Sequence, residues 1–201
     1  IDRKQERVSS NIDTSKSHLN FDLANPEGTP SKSIDDMVKA RIKEGYQGKK
    51  AIRKDAVTSL RYILSGSHED MSNWDAKKIK AWAQDNYKYF VQLYGEKNII
   101  RATLHMDEKT PHMHLSAVPL TKEGKLSAKE FVGNRTKLKE FQTDYAEKIG
   151  KKYGLQRGIE DSNRKHTSTR DFYRYLNTND VKAEQVLNHS NSKELVSQLL
   201  R

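Results

Sequence analysis

The chain has no cysteine among its 201 residues. Disulfide staples, thiolate metal sites and a cysteine nucleophile are therefore excluded, and the composition suits a reducing compartment, with the cytoplasm expected. Long apolar runs are missing too. Nothing approaches the ~18 residues that a membrane span requires, and no secretory signal opens the sequence. Acidic residues are in deficit, with 27 Asp and Glu against 37 Lys and Arg, which leaves a net charge of +10. Such a surplus favours an anionic partner, and nucleic acid is the first candidate. Ribosome-associated and membrane-surface proteins share the feature, so charge alone does not decide. No His-Glu-x-x-His helix and no second carboxylate-rich motif is present, which argues against a metalloprotease and against a two-metal nuclease.

What is there alternates between strand and helix patterns. Residues 1–17 read as a polar arm, Asn20–Leu23 as a short strand, and Asn25–Pro30 as a loop. Ser33 is suited to cap a helix from Ile34 to Gly45, with Met37, Val38 and Ile42 on its apolar stripe. Ala56–Leu64 reads as a strand and Asn73–Tyr94 as a helix carrying Ile79, Trp82, Phe90 and Leu93 at helical spacing. Ile99–His105 and His112–Val118 read as the arms of an antiparallel hairpin. Ser127 resembles a capping-box residue opening a short helix. A longer helix is expected over Thr136–Tyr153, with Leu138, Phe141, Tyr145 and Ile149 buried. These elements imply an α+β fold: an antiparallel sheet packs one face on helices and leaves the other as a cleft. Residues 1–158 are expected to form the core. Residues 159–201 read as a basic linker and helical extension, for which self-association, partner binding and passage to another domain all remain open.

The chemistry concentrates at His105-Met106-Asp107-Glu108-Lys109-Thr110-Pro111-His112-Met113-His114. Alternate strand residues share a face, so His112 and His114 point the same way while Met113, Leu115 and Ala117 turn to the core. On the preceding arm, Arg101, Thr103 and His105 alternate with Ile100, Ala102 and Leu104. If the arms pair, three imidazoles converge on the polar face. Imidazoles suit borderline divalent metals, and three of them leave positions open for substrate or water. Asp107 and Glu108 lie in the turn, as partners for a ligand histidine or as a base. A lone His-x-His is ordinarily an exposed strand feature. The third histidine, the two carboxylates and the two-faced hairpin together favour a metal site.

The segment His105 to His114 closely resembles the third motif of the Mob/Pre (MobV-type) plasmid mobilisation relaxases. Ser17-His18-Leu19-Asn20-Phe21-Asp22-Leu23 is similar to that family's second motif, and Ala51–Val57 to a stretch found between the two. The resemblance runs from about Ser9 to Gly158. It implies an HUH-type relaxase core, with helices on one face of a central antiparallel sheet and the metal site on the other. It implies nicking of one strand at a plasmid transfer origin, with the 5′ phosphate left covalently on the protein. It also implies Mn²⁺ or Mg²⁺ on His105, His112 and His114, although an all-imidazole shell accepts Zn²⁺ or Ni²⁺ as well. Glu108 would be the catalytic base or would steady a ligand histidine.

The sequence departs from the family in two places. The family's nucleophile is a histidine in a His-x-x-Arg motif, and none precedes Phe21 here. Its expected position falls just upstream of Ile1, with His18 as a weaker in-chain substitute. Phe21 replaces the usual tyrosine and keeps only the ring for stacking. The expected partner is DNA, a single-stranded or hairpin transfer origin. Phe21 and Tyr94 are the stacking candidates implied by the resemblance, and Arg53, Lys54 and Arg101 are the phosphate contacts. Arg157, Arg164 and Lys165 are candidates for a duplex arm. Two other readings stay open: a DNA-binding module without catalysis, and a His-rich metal-dependent hydrolase.

Overall fold

The hairpin anticipated from the alternating pattern forms the centre of a four-stranded antiparallel sheet. The computed structural model describes residues 12–28 and 32–160. Its strands are β1 (Phe21–Asp22), β2 (Leu60–Leu64), β3 (Ile99–His105) and β4 (His112–Ala117), in the order β1-β3-β4-β2. β1 is antiparallel to β3, with Phe21 opposite Leu104. The chain divides into two units, residues 1–158 and 159–201. The second lies almost wholly outside the described residues, as do Arg164 and Lys165.

One face of the sheet carries Ala102, Leu104, Met113, Leu115 and Ala117, all buried. Helix α3 (Ala76–Tyr94) lays Ile79, Trp82, Ala83, Tyr89, Phe90 and Tyr94 against that face. The Asp75 carboxylate accepts the Lys78 backbone N–H at 2.7 Å and starts the helix. Gly95, at φ +82°, ends it in a conformation that a side chain would resist. Trp82 and Phe90 are fully buried, each contributing about 2–3 kcal/mol of apolar burial. Helix α5 (Arg135–Tyr145) packs Phe141 and Tyr145 on the same core. It continues through a π-helical turn, Ala146–Gly150, into α6 (Lys151–Tyr153). The wider turn accompanies partly buried polar contacts in which Tyr145 donates to Asn86 and Tyr89 donates to Asp144.

The opposite face is shared. Helix α1 (Ile34–Gly45), capped by Ser33 as anticipated, packs Val38 and Ile42 against Ile100, Val118 and Leu120. A register shift between Ile99 and Arg101 turns Ile100 onto this face. The far end of the face is thereby covered; at the other end His112 and His114 are partly exposed and His105 is buried.

Several expectations are corrected in detail. Residues 56–59 are not strand, and β2 begins at Leu60. A short helix, α2 (His68–Met71), precedes α3 and carried no periodic signal because it spans barely one turn. Ser127 precedes α4 (Ala128–Val132) without a side-chain cap. Helix α5 is capped by Asn134 rather than beginning at Thr136. Leu138 is 42% exposed, not buried. Residues 14–19 form a 3-10 turn (Thr14–Leu19) in place of an unstructured arm.

A buried pair ties the edge strand down. Asp22 accepts backbone N–H groups of Ala24 and Ala102 at 3.0 and 2.9 Å, and its other oxygen lies 3.4 Å from Nε of the buried Arg101. Asp22→Ala takes this carboxylate away from the buried Arg101 and from two backbone N–H groups, and a loss of about 3–5 kcal/mol is expected in urea unfolding. A loss below about 1 kcal/mol would mean that the pair does not anchor β1.

Candidate functional site

His105 is directly opposite His112 across the β3–β4 ladder, and His114 is opposite Thr103. The three rings form a near-equilateral triangle, with centres 5.2 Å (His105–His112), 5.3 Å (His105–His114) and 5.1 Å (His112–His114) apart. A metal bonded to imidazole nitrogens at about 2.1 Å lies about 3.3 Å from each ring centre. Ligand angles of about 90–110° then place the ring centres roughly 4.7–5.4 Å apart, so the observed spacing fits a shared ion. Among the described residues no group of three or more His, Cys, Asp or Glu side chains is placed, as the rings stand, to hold a metal ion. The rings of His105 and His112 are nearly parallel, at 17°, while His114 stands edge-on to both. Aiming three nitrogens at one point therefore asks for ring rotation, while the strands keep their places.

The neighbours sort the ring nitrogens. The Thr110 carbonyl lies 3.0 Å from Nδ1 of His112, and a carbonyl only accepts, so that nitrogen carries the proton. Nε2 of His112 is then left with its lone pair, and it lies 3.8 Å from the Glu108 carboxylate. Nδ1 of His105 faces Asp107 at 3.7 Å, which turns its Nε2 the other way. Asp107 is wholly buried.

The loop between β3 and β4 is braced from both sides. Ile12 bridges to Glu108, the Asp13 N–H donates to the Asp107 carbonyl, and Ser17 Oγ donates to the Asp107 carboxylate, the last two at 2.7 Å. Asn20 accepts the Met106 N–H at 2.7 Å. Across the loop, Ser65 Oγ donates to the Pro111 carbonyl at 3.1 Å, and His68 Nδ1 lies 3.1 Å from the Thr110 hydroxyl. The stretch read as a second motif is thus a clamp on the carboxylate-bearing turn. Sequence reasoning missed Ser17 and His68 because no local pattern signals contacts across 90 and 42 positions.

The proposed DNA contacts fare unevenly. Tyr94 is 6% exposed, bonded to the Tyr62 hydroxyl and stacked on Phe131 at 4.6 Å, and burial pushes its hydroxyl well above the ordinary range. It is a core residue, not a platform for a base. Arg101 does share the histidine face, but it is 3% exposed beside Asp22 and Met37, so it holds β1 rather than a phosphate. Phe21 lies opposite Leu104, partly buried against the main core, on the side away from the histidines. Arg53 and Lys54 remain exposed in the loop before β2. Arg53 borders a groove of about 480 Å³ with Lys50 and Lys129. Arg157 reaches the Lys139 carbonyl, and His18 its own turn at Ser15. Among the described residues no helix is long and apolar enough to cross a membrane.

Residues 2–174 match the family model described as plasmid recombination enzyme, Mob_Pre. The chain is 38% identical over 148 residues to a Staphylococcus aureus plasmid recombination enzyme type 3, covering 73% of the chain and 35% of that relative. It is 36% identical over 170 residues to a plasmid recombination enzyme of a Bacillus species, covering 84% of the chain and 40% of the relative. The chain therefore spans well under half the length of these curated relatives. Its fold is similar to that of the MobM relaxase domain bound to plasmid pMV158 oriT DNA in a manganese-bound crystal structure. That match has a TM-score of 0.77 and 34% identity, and covers 87% of this chain and 88% of that domain.

Proposed function

The chain belongs to the plasmid recombination enzyme (Mob_Pre) family, with an HUH-type relaxase fold, and from that premise we propose that it nicks one strand at a transfer origin for plasmid mobilisation. The observation that carries the reading is the triangle of His105, His112 and His114 on the sheet face away from the main core, with Glu108 beside it. The substrate is single-stranded or hairpin origin DNA, met in the cytoplasm, and the surplus of +10 draws the strand in.

His105, His112 and His114 hold a divalent ion, Mn²⁺ first, since the similar relaxase domain carries manganese. When bound, the ion supplies charge stabilisation at a non-bridging oxygen of the scissile phosphate. Asp107 fixes the ring of His105, and the Thr110 carbonyl fixes the tautomer of His112. Glu108 takes the proton from the attacking group as it bonds to phosphorus, and the 3′ oxygen leaves. The 5′ phosphate stays on the protein and the 3′ hydroxyl is kept for rejoining.

The test follows the DNA ends. Full-length protein with Mn²⁺ and supercoiled origin plasmid is expected to give relaxed circles whose 5′ end stays on the protein in denaturing gels. Nicking without an adduct would support a hydrolase instead. Binding without nicking would leave a DNA-binding module.

A further inference from the structure

We propose that Ile63 is a nucleotide-positioning residue, an apolar rest for the base or sugar next to the phosphate held at the histidine triangle. The inference rests on the DNA reading above. Ile63 is directly opposite His114 in the β2–β4 ladder, so the two side chains share a face. It is 71% exposed. The same face otherwise carries Arg61, Ser116, His112, Thr103, His105, Arg101 and Asp22, and Ile63 is the one exposed apolar side chain among those register positions.

β2 is an edge strand of the described sheet. An exposed aliphatic on an edge invites edge-to-edge association, which proteins usually suppress there with charge. A β-branched residue does favour strand conformation, but threonine would serve that end without the apolar surface. The position therefore asks for a partner that is apolar and lies beside an anion. In an unpaired strand, a phosphate is flanked by sugars and bases with apolar faces. Aliphatic side chains are used in this way as wedges and rests against bases. Two residues along the same face, Arg61 is 65% exposed and lies 3.6 Å from Asp35 at the surface, placed to meet the next phosphate.

The test measures binding of a fluorescein-labelled single-stranded pMV158 origin oligonucleotide by anisotropy, with Mn²⁺, in a set where each nucleotide in turn is abasic. For the native chain, one or two abasic positions are expected to cost about five- to tenfold in affinity. In Ile63→Ala that penalty vanishes while the other positions keep theirs, and Ile63→Val restores it. Arg61→Gln weakens all oligonucleotides alike. A uniform loss across the set in Ile63→Ala, or an unchanged penalty, would overturn the inference and leave the DNA reading standing. No binding by the native chain would overturn the DNA reading and the inference together.

Discussion

Replacing His114 with alanine is expected to remove the Mn²⁺ site outright, lowering affinity at least about 100-fold in calorimetric titration, equivalent to roughly 2.7 kcal/mol. Two imidazoles 5.2 Å apart remain, and they are the near-parallel pair, while the ring that stands across both is gone. His105→Ala should do the same to the metal, but at a further cost. His105 is 3% exposed and backs the wholly buried Asp107, so its loss leaves a carboxylate facing a cavity. The two variants therefore separate metal loss from destabilisation. With free Mn²⁺ at about 100 times its Kd, the native chain gains about 2.7 kcal/mol by mass action, a rise of roughly 5–10 °C in Tm at this size. Either variant gains at most about 0.4 kcal/mol at the same Mn²⁺ concentration. His114→Ala should melt near the metal-free native chain, and His105→Ala below it. Saturable one-site binding of undiminished strength in His114→Ala would show that the triangle is not the metal site.

The hairpin was legible because both of its arms alternate. Met113, Leu115 and Ala117 against His112 and His114, and Ala102 and Leu104 against Thr103 and His105, leave one register that buries every apolar residue. That register puts His105 opposite His112, so the triangle follows from the pattern once the arms pair. Arg101 shows where such reasoning stops. Alternation assigned it to the correct face, but α1 lies across that end of the face, and no periodicity in β3 announces a helix that begins at Ile34. Tyr94 fails for a related reason. Its place at a helix end left it free to face either way, and the aromatic group of Tyr62, Phe90 and Phe131 decides the matter through tertiary packing. Ser17 and Asp107 were both within quoted motifs, yet their bond is a property of the assembled sheet, which brings the chain from Ile12 to Asn20 alongside the turn. The family resemblance supplied the reaction. The residues supplied the metal-site geometry and, through Ile63, a contact that the motifs do not mention.

Glu108→Gln is expected to lower nicking about 10²- to 10⁴-fold while leaving Mn²⁺ affinity within about threefold of the native value. Glutamine keeps the length and hydrogen-bonding shape of the side chain and removes only its ability to take a proton. The Glu108 carboxylate is partly open to solvent, at 24%, and lies 3.8 Å from Nε2 of His112. That placement suits a base, which must meet the attacking group. It also admits a second role, in which the carboxylate steadies His112 and acts only through the metal. Glu108→Ala with added acetate distinguishes the two. A small carboxylate entering the vacated space restores proton transfer, so a base variant recovers part of its rate as acetate rises. A variant that has lost ligand positioning recovers nothing and binds Mn²⁺ more weakly. His112 is already oriented from its other nitrogen by the Thr110 carbonyl, so its hold on the ring does not depend on Glu108. Loss of Mn²⁺ affinity in step with the rate would therefore place Glu108 among the groups that position His112 and remove it from proton transfer.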